Sequence, residues 1–176
     1  MIISRRPLFI PDFEEEFVAI PALAAKIGRI GKCVATRFAD RYVGELTASA
    51  LVIPRRALAA IADNRPVAQS MLCFDNAVAI GDWQPAALRE PISLDITFTH
   101  DSPPHDSCDK TCHSTIDADI RQVYELIAEA SKTNTIKMGD IFVTPFYRLA
   151  TPVAPATSLK ISLSNSDQAQ LAINFK

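Results

Sequence analysis

Between Phe17 and Ile30 the chain reads Phe-Val-Ala-Ile-Pro-Ala-Leu-Ala-Ala-Lys-Ile-Gly-Arg-Ile. A run this nearly continuous in apolar character is what the interior of a sheet requires, so it reads as a buried strand. Pro21 has no N–H to give to a ladder, which confines it to a bulge or an edge. In a chain of 176 residues folding hides roughly 70% of the unfolded surface, enough for such a core without disulfides or a structural metal.

The rest of the chain supplies further strands. Residues 46–53 read as a strand, and Ser93 to Thr99 alternates through Leu94, Ile96 and Phe98, as a half-buried strand does. Ile141 to Thr144 is short and apolar. Leu159, Ile161 and Leu163 alternate, as do Leu171, Ile173 and Phe175, with Ser164-Asn165-Ser166-Asp167 between them as a hairpin turn. Leu8 to Ile10 is an apolar run stopped by Pro11, and Glu14-Glu15-Glu16 reads as a solvated loop or strand edge. Three segments have helical spacing. Val34, Phe38 and Tyr42 lie four apart, Arg56 to Asp63 is closed by Asn64-Arg65-Pro66, and Ser114 with Asp117 makes a capping signature. Behind that cap, Ile120, Val123, Leu126, Ile127 and Ala130 share one face. His100 to His113 reads as a loop. The expected fold is a β-rich α+β domain spanning residues 1–176, with two or three short helices.

Charge and composition remove several functions. Eighteen Lys and Arg stand against 20 Asp and Glu, a net of −2, so no cationic cluster is available for nucleic acid or for an anionic membrane. No apolar run reaches the ~18–20 residues that cross a bilayer, and Pro7 and acidic residues follow the N-terminus in place of a signal segment. A cytoplasmic location is expected. The four cysteines then read as reduced thiols, with Cys33 and Cys73 as small buried hydrophobes. Glycine is scarce, 5 against 12 Pro, and neither GxGxxG nor GxxxxGK[ST] occurs, which leaves few places for a phosphate-cradling loop.

Several words, in order, carry a resemblance. They are Phe9-Ile10-Pro11-Asp12-Phe13, Gly28-Arg29-Ile30-Gly31-Lys32, Phe38-Ala39-Asp40-Arg41-Tyr42, Phe74-Asp75-Asn76-Ala77, Ile80-Gly81-Asp82-Trp83 and Thr135-Ile136-Lys137-Met138-Gly139-Asp140. Together they cover most of the chain and resemble the fumarylacetoacetate hydrolase (FAH) superfamily, in a form that looks shortened at its N-terminus. The resemblance implies a mixed β-sheet roll, a homodimer, and hydrolysis, decarboxylation or isomerisation of small oxo-acids. It also implies Mg²⁺ or Mn²⁺ held by an E-x-E pair and an aspartate, with a lysine and a Thr-Gly-Thr loop at the substrate.

Carried over residue by residue, those positions are not met. The E-x-E pair falls at Ile20 and Ala22, the aspartate at Leu51 and the lysine at Leu72. Thr144-Pro145-Phe146 stands where the family has Thr-Gly-Thr, and Leu149 and Thr151 replace further glycines. A hard dication needs anionic oxygen in place of its hydration shell, and aliphatic side chains offer none. Buried, each of them instead contributes roughly 1–3 kcal/mol to the fold. A two-residue slip in register would move the ligand positions toward Glu14 to Glu16. The matched polar positions left are Arg55, Asp75 and Thr144, which could bind a small carboxylate. The expectation is therefore a divergent member without metal-dependent chemistry and without a cofactor, serving a structural, regulatory or ligand-binding role.

One other cluster stands out. His100, His105 and His113 lie with Cys108 and Cys112 in a single 14-residue stretch. His105, Cys108, Cys112 and His113 make a Cys₂His₂ set at roughly zinc-like spacing, although adjacent Cys112 and His113 are awkwardly placed to bind one ion. A plain polar loop and a rebuilt catalytic site are the other readings. Arg5-Arg6 and Arg55-Arg56 read as surface arginines, and Trp83 and Tyr147 as packing residues.

Overall fold

Phe17–Ile27 forms the long strand its composition calls for, with every side chain except Lys26 buried. The computed structural model describes residues 1–86, 92–100, 110–163 and 170–176. Its strands in chain order are β1 (Ile2–Ile3), β2 (Pro7–Leu8), β3 (Phe17–Ile27), β4 (Val43–Pro54), β5 (Val78–Ile80), β6 (Gln84–Pro85), β7 (Ile92–His100), β8 (Lys110–Ala118), β9 (Ile141–Pro145), β10 (Thr151–Val153), β11 (Thr157–Leu163) and β12 (Gln170–Phe175). Two α-helices accompany them, α1 (Arg55–Ala62) and α2 (Ile120–Thr133), with short 3-10 turns at Thr36–Tyr42, Gln69–Met71 and Tyr147–Leu149.

The strands form two mixed sheets, one ordered β1-β5-β4-β3-β10 with β6 also on β4 and β9 also on β3, the other β2-β12-β11-β7-β8. Among the described residues only the pairs β1–β5 and β2–β12 are parallel. Side chains alternate across a strand, so Phe17, Ala19, Leu23, Ala25 and Ile27 face the core shared with the second sheet. That sheet answers with the inward rows Leu94-Ile96-Phe98, Leu159-Ile161-Leu163 and Leu171-Ile173-Phe175, the alternation read from sequence. Val18 and Ile20 point to the opposite face of β3. Gly28 and Gly44 touch where β3 and β4 end: a Cβ on Gly28 would lie 3.0 Å from the Gly44 Cα.

Several expectations need correction. Pro21 sits at neither a bulge nor an edge. On one side it pairs with Ala50 of β4; on the other, β10 pairs with residues 17–19 and β9 with residues 22–26. Its missing N–H falls at the break between those two partners, and its carbonyl accepts from the Phe146 N–H at 2.9 Å. Ser114 does not cap a helix. It lies in β8, where cross-strand pairing of the Thr- and Ile-containing run 111–116 with β7 prevails over the capping signature. Asp119 caps α2 instead, its carboxylate accepting from the Arg121 N–H. Leu126 points outward, and Ser131 takes a place in the buried face. The Thr36–Tyr42 segment is a 3-10 turn and not an α-helix. Cys33 and Cys73 are exposed: Cys33 adopts a positive φ of 52° in the link that ties its N–H to Ser131, and Cys73 closes the Gln69–Met71 turn. Tyr147 is also exposed. Of the expected loop at 100–113, residues 110–113 are strand, while residues 101–109, and the turn at 164–167, lie outside the described residues.

Candidate functional site

The antiparallel register of β3 and β4 sets Val18 against Ile53, Ile20 against Leu51 and Ala22 against Ser49. Partners in register share a face, so the positions matched to the E-x-E pair and the aspartate stand side by side, on the face turned away from the shared core. Pro54 ends β4 and α1 begins at once. This brings Leu58 and Ile61 back over the face, while the Gln69–Met71 turn delivers Leu72 and the link between β9 and β10 delivers Ala150. The result is one apolar cluster containing Ile20, Leu51 and Leu72, three of the four matched positions, around a fully buried Ile20. Ala22 is likewise buried, beside Ser49, whose hydroxyl donates to the Ala79 carbonyl at 2.8 Å.

The donor chemistry does not fit Mg²⁺ or Mn²⁺. The cluster offers no oxygen from a side chain, and among the described residues no group of three or more His, Cys, Asp or Glu side chains is placed to hold a metal ion. The slipped register fares no better. Glu16 pairs with Arg55 at 3.0 Å and Glu14 pairs with Arg56, along a broad groove of about 670 Å³ lined also by Asp12, Phe13 and Glu15.

The three remaining polar candidates are dispersed. Arg55 opens onto that groove. Asp75 is exposed in a turn whose Asn76 has φ 65°. Thr144 is buried in register with Leu23, on the other face of the sheet from Ile20, and its hydroxyl donates to the Leu23 carbonyl at 3.1 Å. Of the Cys₂His₂ set, His105 and Cys108 lie outside the described residues. Cys112 and His113 are adjacent in β8 and so project from opposite faces: His113 Nδ1 lies 3.0 Å from the Thr97 hydroxyl, whereas Cys112 pairs with inward-facing Phe98. Arg148, which drew no notice in the sequence, and Ser114, read there only as a helix cap, line a cavity together with Cys112. They are 34 positions apart, and no spacing rule links them.

The family model described as fumarylacetoacetate (FAA) hydrolase C-terminal matches residues 1–145. Solved structures agree in fold. One is 5-carboxymethyl-2-hydroxymuconate delta-isomerase from Mycobacterium smegmatis, at 16% identity and TM-score 0.75, the match covering 98% of this chain and 64% of that one. A second is fumarylpyruvate hydrolase from Pseudomonas aeruginosa in complex with Mn²⁺ and pyruvate, at 16% identity and TM-score 0.74, covering 99% and 72%. A third is maleylpyruvate hydrolase from Sphingobium sp. SYK-6, at 18% identity and TM-score 0.69, covering 99% and 61%. The chain thus spans somewhat under two thirds of the first and third. No curated protein matches the sequence significantly.

Proposed function

The chain belongs to the fumarylacetoacetate hydrolase family, and from that premise we propose that it is a member without metal-dependent oxo-acid chemistry at the usual place, its fold serving a structural, regulatory or small-ligand-binding role. One observation carries the reading: Ile20, Leu51 and Leu72 are joined in a single apolar cluster over which α1 and Ala150 pack, Ile20 fully buried and Leu51 and Leu72 partly so. Wherever carboxylates would have to surround a dication, this chain presents aliphatic carbon, which cannot replace the oxygens of a hydration shell. The cluster stabilises the fold by roughly 1–3 kcal/mol for each well-buried side chain. Nor does it contain an isolated polar atom awaiting a ligand: among the described residues no buried side-chain nitrogen or oxygen lacks a hydrogen-bond partner.

The test is a thermal melt in EDTA and in excess Mg²⁺, Mn²⁺ or Zn²⁺, run beside turnover assays with an acylpyruvate and with oxaloacetate. The expected result is an unchanged midpoint and no metal-dependent turnover. An ion at 100 times its Kd would stabilise by about 2.7 kcal/mol, or roughly 5–10 °C for a domain of this size. A rise of that order with Mg²⁺ or Mn²⁺, or turnover that EDTA abolishes, overturns the reading.

A further inference from the structure

We propose that the cavity between β8 and the 148–151 segment binds a small carboxylate with a short apolar body, and that Cys112 presents its thiol to that ligand. The cavity is a half-open cleft of about 230 Å³, lined by Ile96, Phe98, Cys112, Ser114, Arg148 and Leu149 among others. The alternation of β8 makes it. Thr115 and His113 turn to the outer face, where they bond Asp95 and Thr97. Cys112 and Ser114, in register with Phe98 and Ile96, turn the other way. The 3-10 turn Tyr147–Leu149 then carries Arg148 to the rim.

Three polar groups line this small space, and among the described residues the side chains of Arg148, Ser114 and Cys112 form no hydrogen bond or ion pair, Arg148 and Cys112 being exposed at its rim. A guanidinium presents a planar fork of donors that matches a carboxylate, and a hydroxyl supplies one more donor. The walls contributed by Ile96, Phe98 and Leu149 suit hydrocarbon. The volume lies below the ~300 Å³ at which pockets for drug-sized ligands begin, so the ligand is an acid of only a few carbons. Arg55, Asp75 and Thr144 take no part in this site, and the proposal does not depend on what the Ile20 cluster can bind.

The thiol makes the site readable. Iodoacetate and iodoacetamide alkylate cysteine by the same displacement: the S–C bond forms as the C–I bond breaks, iodide leaves, and the thiol proton goes to buffer. They differ in the carboxylate that Arg148 would hold. Alkylation is followed by peptide mass spectrometry at Cys112, with Cys33 and Cys73, exposed like Cys112, as references in the same sample. We expect Arg148→Met to lower the iodoacetate-to-iodoacetamide rate ratio at Cys112 by about fivefold or more, leaving the ratios at Cys33 and Cys73 unchanged, and Arg148→Lys to restore part of it. Butyrate at tens of millimolar should slow iodoacetamide at Cys112 alone. Arg148 is exposed, and circular-dichroism melts matching the parent would show that the variants are folded. A ratio indifferent to Arg148→Met, or an absence of butyrate protection in the parent protein, overturns the proposal.

Discussion

Replacing Ile20 with glutamate puts a carboxylate at the centre of the cluster where the family resemblance would have one. Ile20 is fully buried, packed with Val18, Ile53, Leu51, Leu58, Ile61 and Leu72. Losing the isoleucine removes about 2 kcal/mol of apolar burial. The larger effect is electrostatic. In apolar surroundings with no cation nearby, a glutamate holds its proton until about pH 8–9, against about 4.3 in the unfolded chain. Because the folded value is the higher one, protonation favours the folded state. The variant is therefore least impaired below about pH 4.3, and loses stability as pH rises toward the folded value. Each pH unit in that window is worth about 1.4 kcal/mol, so the gap to the parent should widen by about 4 kcal/mol between pH 5 and pH 8. That is a large share of a total stability of about 5–15 kcal/mol. In paired thermal melts followed by circular dichroism it corresponds to roughly 3–5 °C of extra separation per pH unit. Ile20→Gln, of similar shape but without a charge, should show a gap that does not move with pH. If Ile20→Glu also keeps a constant gap across the range, the carboxylate reaches water or a cation, and the reasoning that this face is sealed fails.

Three further outcomes test the scaffold. Ser131 is buried, donating to the Ala128 carbonyl at 3.0 Å and accepting from the Val34 N–H at 2.9 Å. Ser131→Ala strands that N–H and should lower stability by about 1–3 kcal/mol in urea unfolding. Gly28→Ala sets a Cβ 3.0 Å from the Gly44 Cα, backbone against backbone. It should destabilise by about 1–3 kcal/mol, and a melt within a degree of the parent would show that β3 and β4 part easily there. Asp119→Ala removes the N-cap of α2 and should cost about 1 kcal/mol, most of it regained by Asp119→Ser.

Much of this fold was legible because period-2 alternation reports a half-buried strand directly: the rows ending at Phe98, Leu163 and Phe175 all lie in the core where the sequence put them. The aliphatic cluster was legible in a different way, by counting from Gly31-Lys32 and Phe74-Asp75 to positions that turned out to be neighbours. The misreadings have local causes. Ser114 and Asp117 satisfy a capping pattern, but β7 offers Ile96 and Ser93 as cross-strand partners, and a long-range ladder is invisible in a window of four residues. Cys33 was assigned to the core from apolar company, yet the left-handed turn there holds its side chain outside. The Cys112–Arg148 cavity left no trace in the sequence, since sheet pairing and the turn after β9 bring together residues that no periodicity relates.

Pro21 also governs how the molecule opens. Because it divides the partners on one side of β3, β9 and β10 are separate attachments, and β10 is held there by only three paired positions, Thr151 to Val153. Short ladders of this kind detach at far less free energy than the whole domain, so the piece carrying Arg148 has its own opening equilibrium while β3 and β4 stay joined. In hydrogen exchange the amides of β10 should lose protection well before those along the β3–β4 ladder. The rim of the Cys112 cavity would then move as a flap on a fixed frame, tethered at its root by the Phe146 N–H on the Pro21 carbonyl.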